Sequence, residues 1–117
     1  MIVLFFVLAF VFLIPTNDVD RMEFDAAVWK STPAEMSFES VRLRMVDSLL
    51  DRRVLNGKTR AEIVELLGEP DEARAFTGYD MVWWLGPERG FISIDSEWLW
   101  IDLDENEVAI DVRLGAD

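Results

Sequence analysis

Carboxylates are the side chains of this chain with the clearest capacity for chemistry. Two pairs, Asp71 with Glu72 and Asp95 with Glu97, have the proximity that general acid–base catalysis uses. Because the 117 residues include 23 Asp and Glu, chance adjacency explains both pairs. The chain has no histidine and no cysteine, which removes the usual general base, the thiol nucleophile and the thiolate metal site. We therefore predict no catalytic residues, no small-molecule substrate and a protein that is not an enzyme.

A second acidic motif, Asp102-x-Asp104-x-Asn106, resembles the start of an EF-hand calcium loop. That loop needs Gly at its sixth position and Glu at its twelfth, where this chain has Glu107 and Arg113. Residues 104–106 are better explained as the turn of a β-hairpin. Residues 86–90 contain two glycines but lack the Lys-Ser/Thr ending of a phosphate loop, and they too predict a turn. We expect no metal and no cofactor.

The charge balance excludes further classes of partner. Eleven basic residues against 23 acidic ones give a net charge of -12. Phosphate contacts need clustered Lys and Arg, so nucleic-acid binding is disfavoured, as is adhesion to an anionic lipid surface. The simplest reading of the acidity is a surface kept soluble by repulsion.

Apolar periodicity predicts the elements that carry these side chains. A first helix is expected from an N-cap at Ser37 to about Arg53, a short helical turn at residues 25–30, and a second helix at residues 59–67. Strands are expected at residues 79–85, 97–103 and 107–114, the last with Ile110 inward and Ala109 outward. The predicted fold is α+β: two helices packed on one face of a three-stranded antiparallel sheet, preceded by an N-terminal hydrophobic helix. The stripe of the first helix comprises Phe38, Val41, Met45, Val46, Leu49 and Leu50.

The sequence predicts both where the second helix begins and where it ends. Gly57 precedes it, and Thr59 with Glu62 forms a Thr-x-x-Glu capping box. Gly68 offers the positive-φ residue that ends a helix, and Pro70 prevents its continuation. We assign these five residues to architecture.

The tryptophans supply the candidate binding site. In the second strand Leu99 and Ile101 alternate with Trp98 and Trp100, so the two indoles point away from the helices. One of the neighbouring residues Trp83 and Trp84 must share this side of the sheet, which we call the tryptophan face, and we select Trp84. Exposed aromatic patches often mark partner surfaces. The alternative is internal cover, either by Phe24 and Trp29 or by residues 86–92. The partner-binding residues selected are Trp84, Trp98, Trp100 and, as a rim, Pro87, Arg89 and Phe91.

These motifs resemble the SmpA/OmlA family, the BamE-like accessory domains of outer-membrane β-barrel assembly. The resemblance covers residues 45–114, and it implies a supporting role in outer-membrane assembly or maintenance. Family lipoproteins carry a lipidated cysteine after the signal sequence, and this chain has none. Residues 86–92 are an insertion with a sequence of its own. The residues that carry the resemblance are Gly57, Thr59, Glu62, Ile63, Leu67, Gly68, Pro70, Trp83, Trp84, Leu99, Ile101, Leu103, Asp104, Glu105, Asn106 and Val108.

Residues 2–14 form an unbroken apolar run that Pro15 closes. As a helix it would reach about 20 Å, short of the ~30 Å hydrocarbon core of a bilayer. Three interpretations stay open: an uncleaved short signal-anchor, a cleaved signal peptide, and a gene start that has lost upstream basic residues. The expected organisation is a signal peptide or membrane anchor at 1–15, a polar tether at 16–37 and a domain at 38–117.

Two functions follow as hypotheses. The first is a non-enzymatic, membrane-tethered protein-interaction module in the periplasm of a Gram-negative bacterium, with a protein partner in the cell envelope. The alternative is a binding or inhibitory domain, similar in topology to β-lactamase-inhibitor proteins, that acts on another periplasmic protein.

Overall fold

The computed structural model describes residues 19–37, 39–72, 78–89 and 95–116. These residues form three helices and one three-stranded antiparallel sheet in the order β1-β2-β3. The α+β class and the antiparallel sheet are therefore confirmed. The elements are α1 (Ala26–Ser31), α2 (Val41–Asp51), α3 (Arg60–Leu67), β1 (Met81–Pro87), β2 (Ser96–Leu103) and β3 (Ala109–Ala116).

None of the helices in these four ranges combines the length and the apolar character needed to cross a membrane. The expected N-terminal hydrophobic helix falls at residues 1–15, outside the described residues. The question of an anchor at that end therefore stays a prediction.

The predicted capping box of α3 is present. Thr59 Oγ1 accepts from the Glu62 amide at 3.2 Å, and the Thr59 amide donates to Glu62 Oε1 at 3.0 Å. The hydrogen bond from the Thr59 backbone lowers the pKa of the Glu62 carboxyl. Gly68 has the positive φ that the sequence predicted, and Gly57 has a positive φ as well. The helix is thus fixed at both ends by local sequence.

The residues just before α3 also fix it to the sheet. The Ala109 amide donates to the Lys58 carbonyl at 2.8 Å, and the Arg60 amide donates to the Glu107 carbonyl at 2.9 Å. These bonds attach the start of the helix to the β2–β3 hairpin. The position of α3 is therefore set by two features, its local capping box and these long-range backbone hydrogen bonds.

The described part of the expected tether, residues 19–37, packs onto the domain. Asp25 caps α1 through the Val28 amide, in line with the predicted helical turn. Trp29 is fully buried in the hydrophobic core, and the Met22 amide donates to the Arg44 carbonyl at 2.8 Å. Residues 19–37 are therefore part of the folded unit. Burial of the large Trp29 indole stabilises the packing of this segment against the domain.

The first predicted helix begins later than expected. Ser40, not Ser37, occupies the N-cap position of α2, and its side chain makes no cap bond to the helix. Its buried hydroxyl instead donates to the Leu85 carbonyl at 2.6 Å. Leu43, which the predicted stripe omitted, is fully buried. Phe38 lies outside the described residues. A tertiary hydrogen bond to β1 therefore sets the start of this helix.

One hydrophobic core joins the helices and alternate strand positions. On β2 the buried residues are Leu99 and Ile101, and the register places Trp83 and Met81 of β1 beside them. The remaining core side chains are Trp29, Leu43, Met45, Val46, Leu49, Leu55, Ile63, Leu67, Leu85 and Ala109.

The prediction for the start of β3 is wrong. The register shifts between Asp102 and Leu103, so that Leu103 faces Ala109 while Asp102 faces Asp111. Ile110 is the extra residue of this β-bulge. Ala109 is consequently buried, whereas the Ile110 side chain is 65% exposed, the reverse of the expected alternation.

Replacing Thr59 by Ala should lower the free energy of unfolding by about 1 kcal/mol, because α3 loses its cap. Urea denaturation of both proteins measures the difference. Glu65→Ala is the matched control, since it removes an exposed carboxylate from the same helix without touching the cap. A Thr59→Ala protein as stable as the control would contradict the role given to the capping box.

Candidate functional site

The pleat of the sheet brings the selected tryptophans together. Trp84 of β1 lies directly opposite Trp98 of β2, and Val82 lies opposite Trp100. All three tryptophans of this face are partly buried, whereas Trp83 is fully buried on the core side. The choice of Trp84 over Trp83 therefore agrees with the geometry, while partner binding itself stays a prediction.

Trp100 is held in a stack of side chains. The Tyr79 ring lies over its indole with centroids 4.9 Å apart, and the Arg113 guanidinium lies 5.0 Å from the Tyr79 centroid. Beneath the indole lies Gly115, where an added Cβ would overlap the six-membered ring of Trp100. The buried Trp100 Nε1 has no acceptor among the described residues. Trp100 therefore acts as an internal support for this face.

Phe24 and Trp29, one of the two expected covers, lie elsewhere, whereas the other, residues 86–92, falls partly outside the described residues. Phe24 packs edge-on against Trp29 at 6.0 Å, and the Arg42 guanidinium lies 5.4 Å from the centre of the Trp29 ring. Both aromatic rings therefore belong to the helix side of the sheet. Among the described residues, Tyr79 is the aromatic that covers part of the tryptophan face.

The three residues selected as a rim have different positions. Pro87 is a buried residue at the end of β1, and Phe91 lies outside the described residues. Arg89 differs from the expectation most, because its side chain is 14% exposed and turned toward the helices. It bonds Asp47 of α2 at 2.9 Å and Glu97 of β2 at 2.8 Å. Arg89 therefore joins helix to sheet rather than facing solvent as a rim.

Electrostatics strengthen this junction, which we call the Arg89 cluster (Asp47, Arg89, Glu97 and Arg21). Burial disfavours the charged form of Arg89, yet the hydrogen bonds and charges of Glu97 and Asp47 outweigh it and raise the Arg89 pKa. Burial likewise opposes the charge of Asp47, but Arg89 and Arg21 lower the pKa of this carboxyl. Glu97, which the sequence offered as half of a carboxylate pair, is thus part of a structural ion pair.

The carboxylates at the other end of the sheet have structural partners. Asp104 Oδ1 accepts from the amides of Asn106 and Val108, as a hairpin turn requires. Asp80 Oδ2 accepts from the Leu103 amide at 2.8 Å. No cluster of potential metal ligands exists within the part of the chain that the structure describes.

Three residues of the face escaped the sequence analysis: Tyr79, Arg113 and Gly115. Tyr79 was taken as the first strand residue, and Gly115 lay beyond the expected end of the last strand. Gly115 lies on the strand next to that of Trp100 and on the same face of the sheet. A glycine in such a position is the sequence signal that could have identified the stack.

Comparison of this chain with models of protein families, with curated proteins and with solved structures finds no match.

Replacing Gly115 by Ala should destabilise the protein by about 1–3 kcal/mol, because the new methyl group overlaps the Trp100 ring. The same substitution in a Trp100→Leu background should cost clearly less, since the smaller side chain leaves room. Thermal unfolding of the four proteins forms a double-mutant cycle. Additive effects would show that Gly115 and Trp100 do not pack together as described.

Replacing Arg89 by Met should lower the free energy of unfolding at neutral pH by up to about 3 kcal/mol, because Asp47 and Glu97 lose their shared cation. Because Arg89 helps to lower the pKa of the Asp47 carboxyl, its stabilising effect is present at neutral pH and is lost as the pH falls through the carboxyl range, so the deficit should shrink toward low pH. Chemical denaturation across pH tests both statements.

The matched control is Arg52→Met, which breaks a pair between side chains that are 55% and 86% exposed and should change stability little. An Arg89→Met deficit that grew toward low pH would contradict the assigned sign.

Proposed function

We propose that this protein is a non-enzymatic interaction module that binds a protein partner of the cell envelope through its tryptophan face. In this proposal residues 1–15 hold it at a membrane, α2 and α3 cover one face of the sheet, and the domain lies in the periplasm of a Gram-negative bacterium. The resemblance to the SmpA/OmlA family supports a role in outer-membrane assembly or maintenance.

The observation that carries the proposal is the placement of Trp84 and Trp98. They face each other across β1 and β2, on the side of the sheet that Phe24 and Trp29 do not cover. Neither indole belongs to the hydrophobic core. Paired aromatic side chains outside a core are typical of the buried centre of protein interfaces.

The stack around Trp100 supports the same proposal in a different way. Tyr79 and Gly115 fix the orientation of the Trp100 ring. A rigid aromatic floor loses little conformational entropy when a partner docks, which favours affinity. Trp84 and Trp98 are therefore the proposed contact residues, and Trp100 is the proposed support.

The second candidate function is an inhibitory or binding domain that acts on a soluble periplasmic enzyme. The same open sheet face favours it, because the sheet of β-lactamase-inhibitor proteins, which are similar in topology, grips an enzyme. The two candidates share one surface and differ in the partner that it meets.

A photo-crosslinking amino acid at Trp98 in the full chain should identify the partner in intact cells. We expect one dominant adduct that disappears when Trp84 is replaced by Ala, since the contact surface then loses half of its aromatic pair. The same crosslinker at Glu105, an exposed residue of the hairpin turn, is the matched control and should yield no such adduct.

The identity of the adduct separates the two candidates. A component of the barrel-assembly machinery supports the first, and a soluble periplasmic enzyme supports the second. Recovery of the protein from the cytosolic fraction would contradict both. Equal thermal stability of the Trp84→Ala protein and the unmodified chain would exclude unfolding as the cause of a lost adduct.

A further inference from the structure

The two edges of the sheet are not equivalent. At the outer edge of β1, the Asp71 amide donates to the Val82 carbonyl at 2.8 Å, and Asp71 Oδ2 accepts from the Trp84 amide at 2.7 Å. One aspartate thus pairs with two of the outward backbone groups of β1, the Val82 carbonyl and the Trp84 amide. This edge is closed to another strand.

The outer edge of β3 is closed only at its start. Ala109 donates its amide to Lys58 and accepts from Gly57, both away from β2. Outward-pointing backbone groups recur at every second residue, so beyond the bulge at Ile110 the next such positions are Val112 and Leu114. Among the described residues, nothing pairs with the outward backbone groups of these two.

The side chains along this open edge are complementary to themselves. Asp111 and Arg113 flank Val112 and point to the tryptophan face, opposite Asp102 and Trp100 of β2. A second β3 strand that pairs antiparallel about Val112 places its Arg113 opposite Asp111, and its Asp111 opposite Arg113. Opposite charges at directly facing positions stabilise a sheet.

We propose that β3 is a self-association edge, on which a second copy of this chain docks antiparallel with Val112 opposite Val112. The two sheets then form one continuous six-stranded sheet around a two-fold axis, with both tryptophan faces on the same side. The proposal rests on the sheet edge and goes beyond the partner site on the tryptophan face.

Other symmetric registers are less favourable. Pairing about Arg113 sets two guanidinium groups directly opposite each other, which is repulsive. Pairing about Leu114 sets Arg113 opposite Gly115 and gains no ion pair. Asp111 and Arg113 are each roughly half exposed and form an ion pair at 3.5 Å within one chain. In the dimer this single ion pair can be replaced by two ion pairs between the chains.

The neighbouring residues define the limits of the contact. The bonds from Ala109 to residues 57 and 58 occupy the edge before the bulge, so the shared ladder covers residues 111–113 and their flanks. In this register the exposed Ile110 lies opposite Leu114 of the second copy. An open groove of about 480 Å³ beside Leu50, Arg53 and Asn56 borders Val112 and Leu114 and leaves room for the incoming side chains.

A single cysteine at Val112 tests this register, because the natural chain has none. In a hydrogen-bonded antiparallel pair the two Cα atoms lie about 5.5 Å apart, within the range of a disulfide. Mild oxidation of full-length Val112→Cys in detergent micelles should give a disulfide-linked dimer. Glu105→Cys, at an exposed turn away from the edge, is the control and should give far less.

Charge reversal makes the test specific. In the Val112→Cys background, Asp111→Arg and Arg113→Asp should each reduce the linked dimer about tenfold, because like charges then face each other. An equimolar mixture of these two proteins should regain the dimer as a mixed species, since opposite charges face each other again. Association through residues 1–15 or through the micelle would not depend on these signs.

Equal linkage in Val112→Cys and Glu105→Cys would overturn the proposal. So would single reversals without effect, or a mixture that fails to recover. In the double variant Asp111→Arg/Arg113→Asp, two identical copies again place opposite charges at facing positions, so the linked dimer should return. A double variant that fails to form the linked dimer would also count against the register.

Discussion

The pleat of β2 is the constraint on which the rest of this structure depends. β2 is the central strand, and its successive side chains must point to opposite faces. Leu99 and Ile101 therefore enter the core, which obliges Trp98 and Trp100 to lie on the other face. A slip of one residue would exchange the two sets and bury two indoles among the helices. The core that stabilises the domain thus also creates the surface that we propose as a partner site.

Side chains distant in sequence hold that central strand in place. The Arg89 cluster joins α2 to the start of β2, and Asp71 closes the outer edge of β1. Tyr79 and Gly115 hold Trp100 from above and below. The Arg89 cluster acts through charge, Asp71 through hydrogen bonds, and Gly115 through its missing Cβ. With these features in place, the sheet presents a rigid aromatic face and one open edge.

What the sequence could predict follows from how local each signal is. The cap of α3 and the short helical turn that becomes α1 depend on residues within one turn of helix, and both were predicted correctly. The alternation of β2 is equally local. The start of α2 depends on a bond from Ser40 to Leu85, and the role of Arg89 depends on Asp47 far along the chain. The bulge at Ile110 depends on register against β2, which a single-strand pattern does not contain. Phe91 and residues 1–15 lie outside the described residues, so those predictions stay as they were.

The central claim is that Trp84 and Trp98 are partly exposed side chains of a face distinct from the core. Fluorine NMR of the chain labelled with 5-fluorotryptophan, in the presence of a soluble paramagnetic relaxation agent, tests it most directly. We expect clear broadening of the Trp84 and Trp98 resonances, assigned by substitution, and little broadening of Trp29 and Trp83, which are fully buried. Protection of Trp84 and Trp98 equal to that of Trp29 and Trp83 would contradict it.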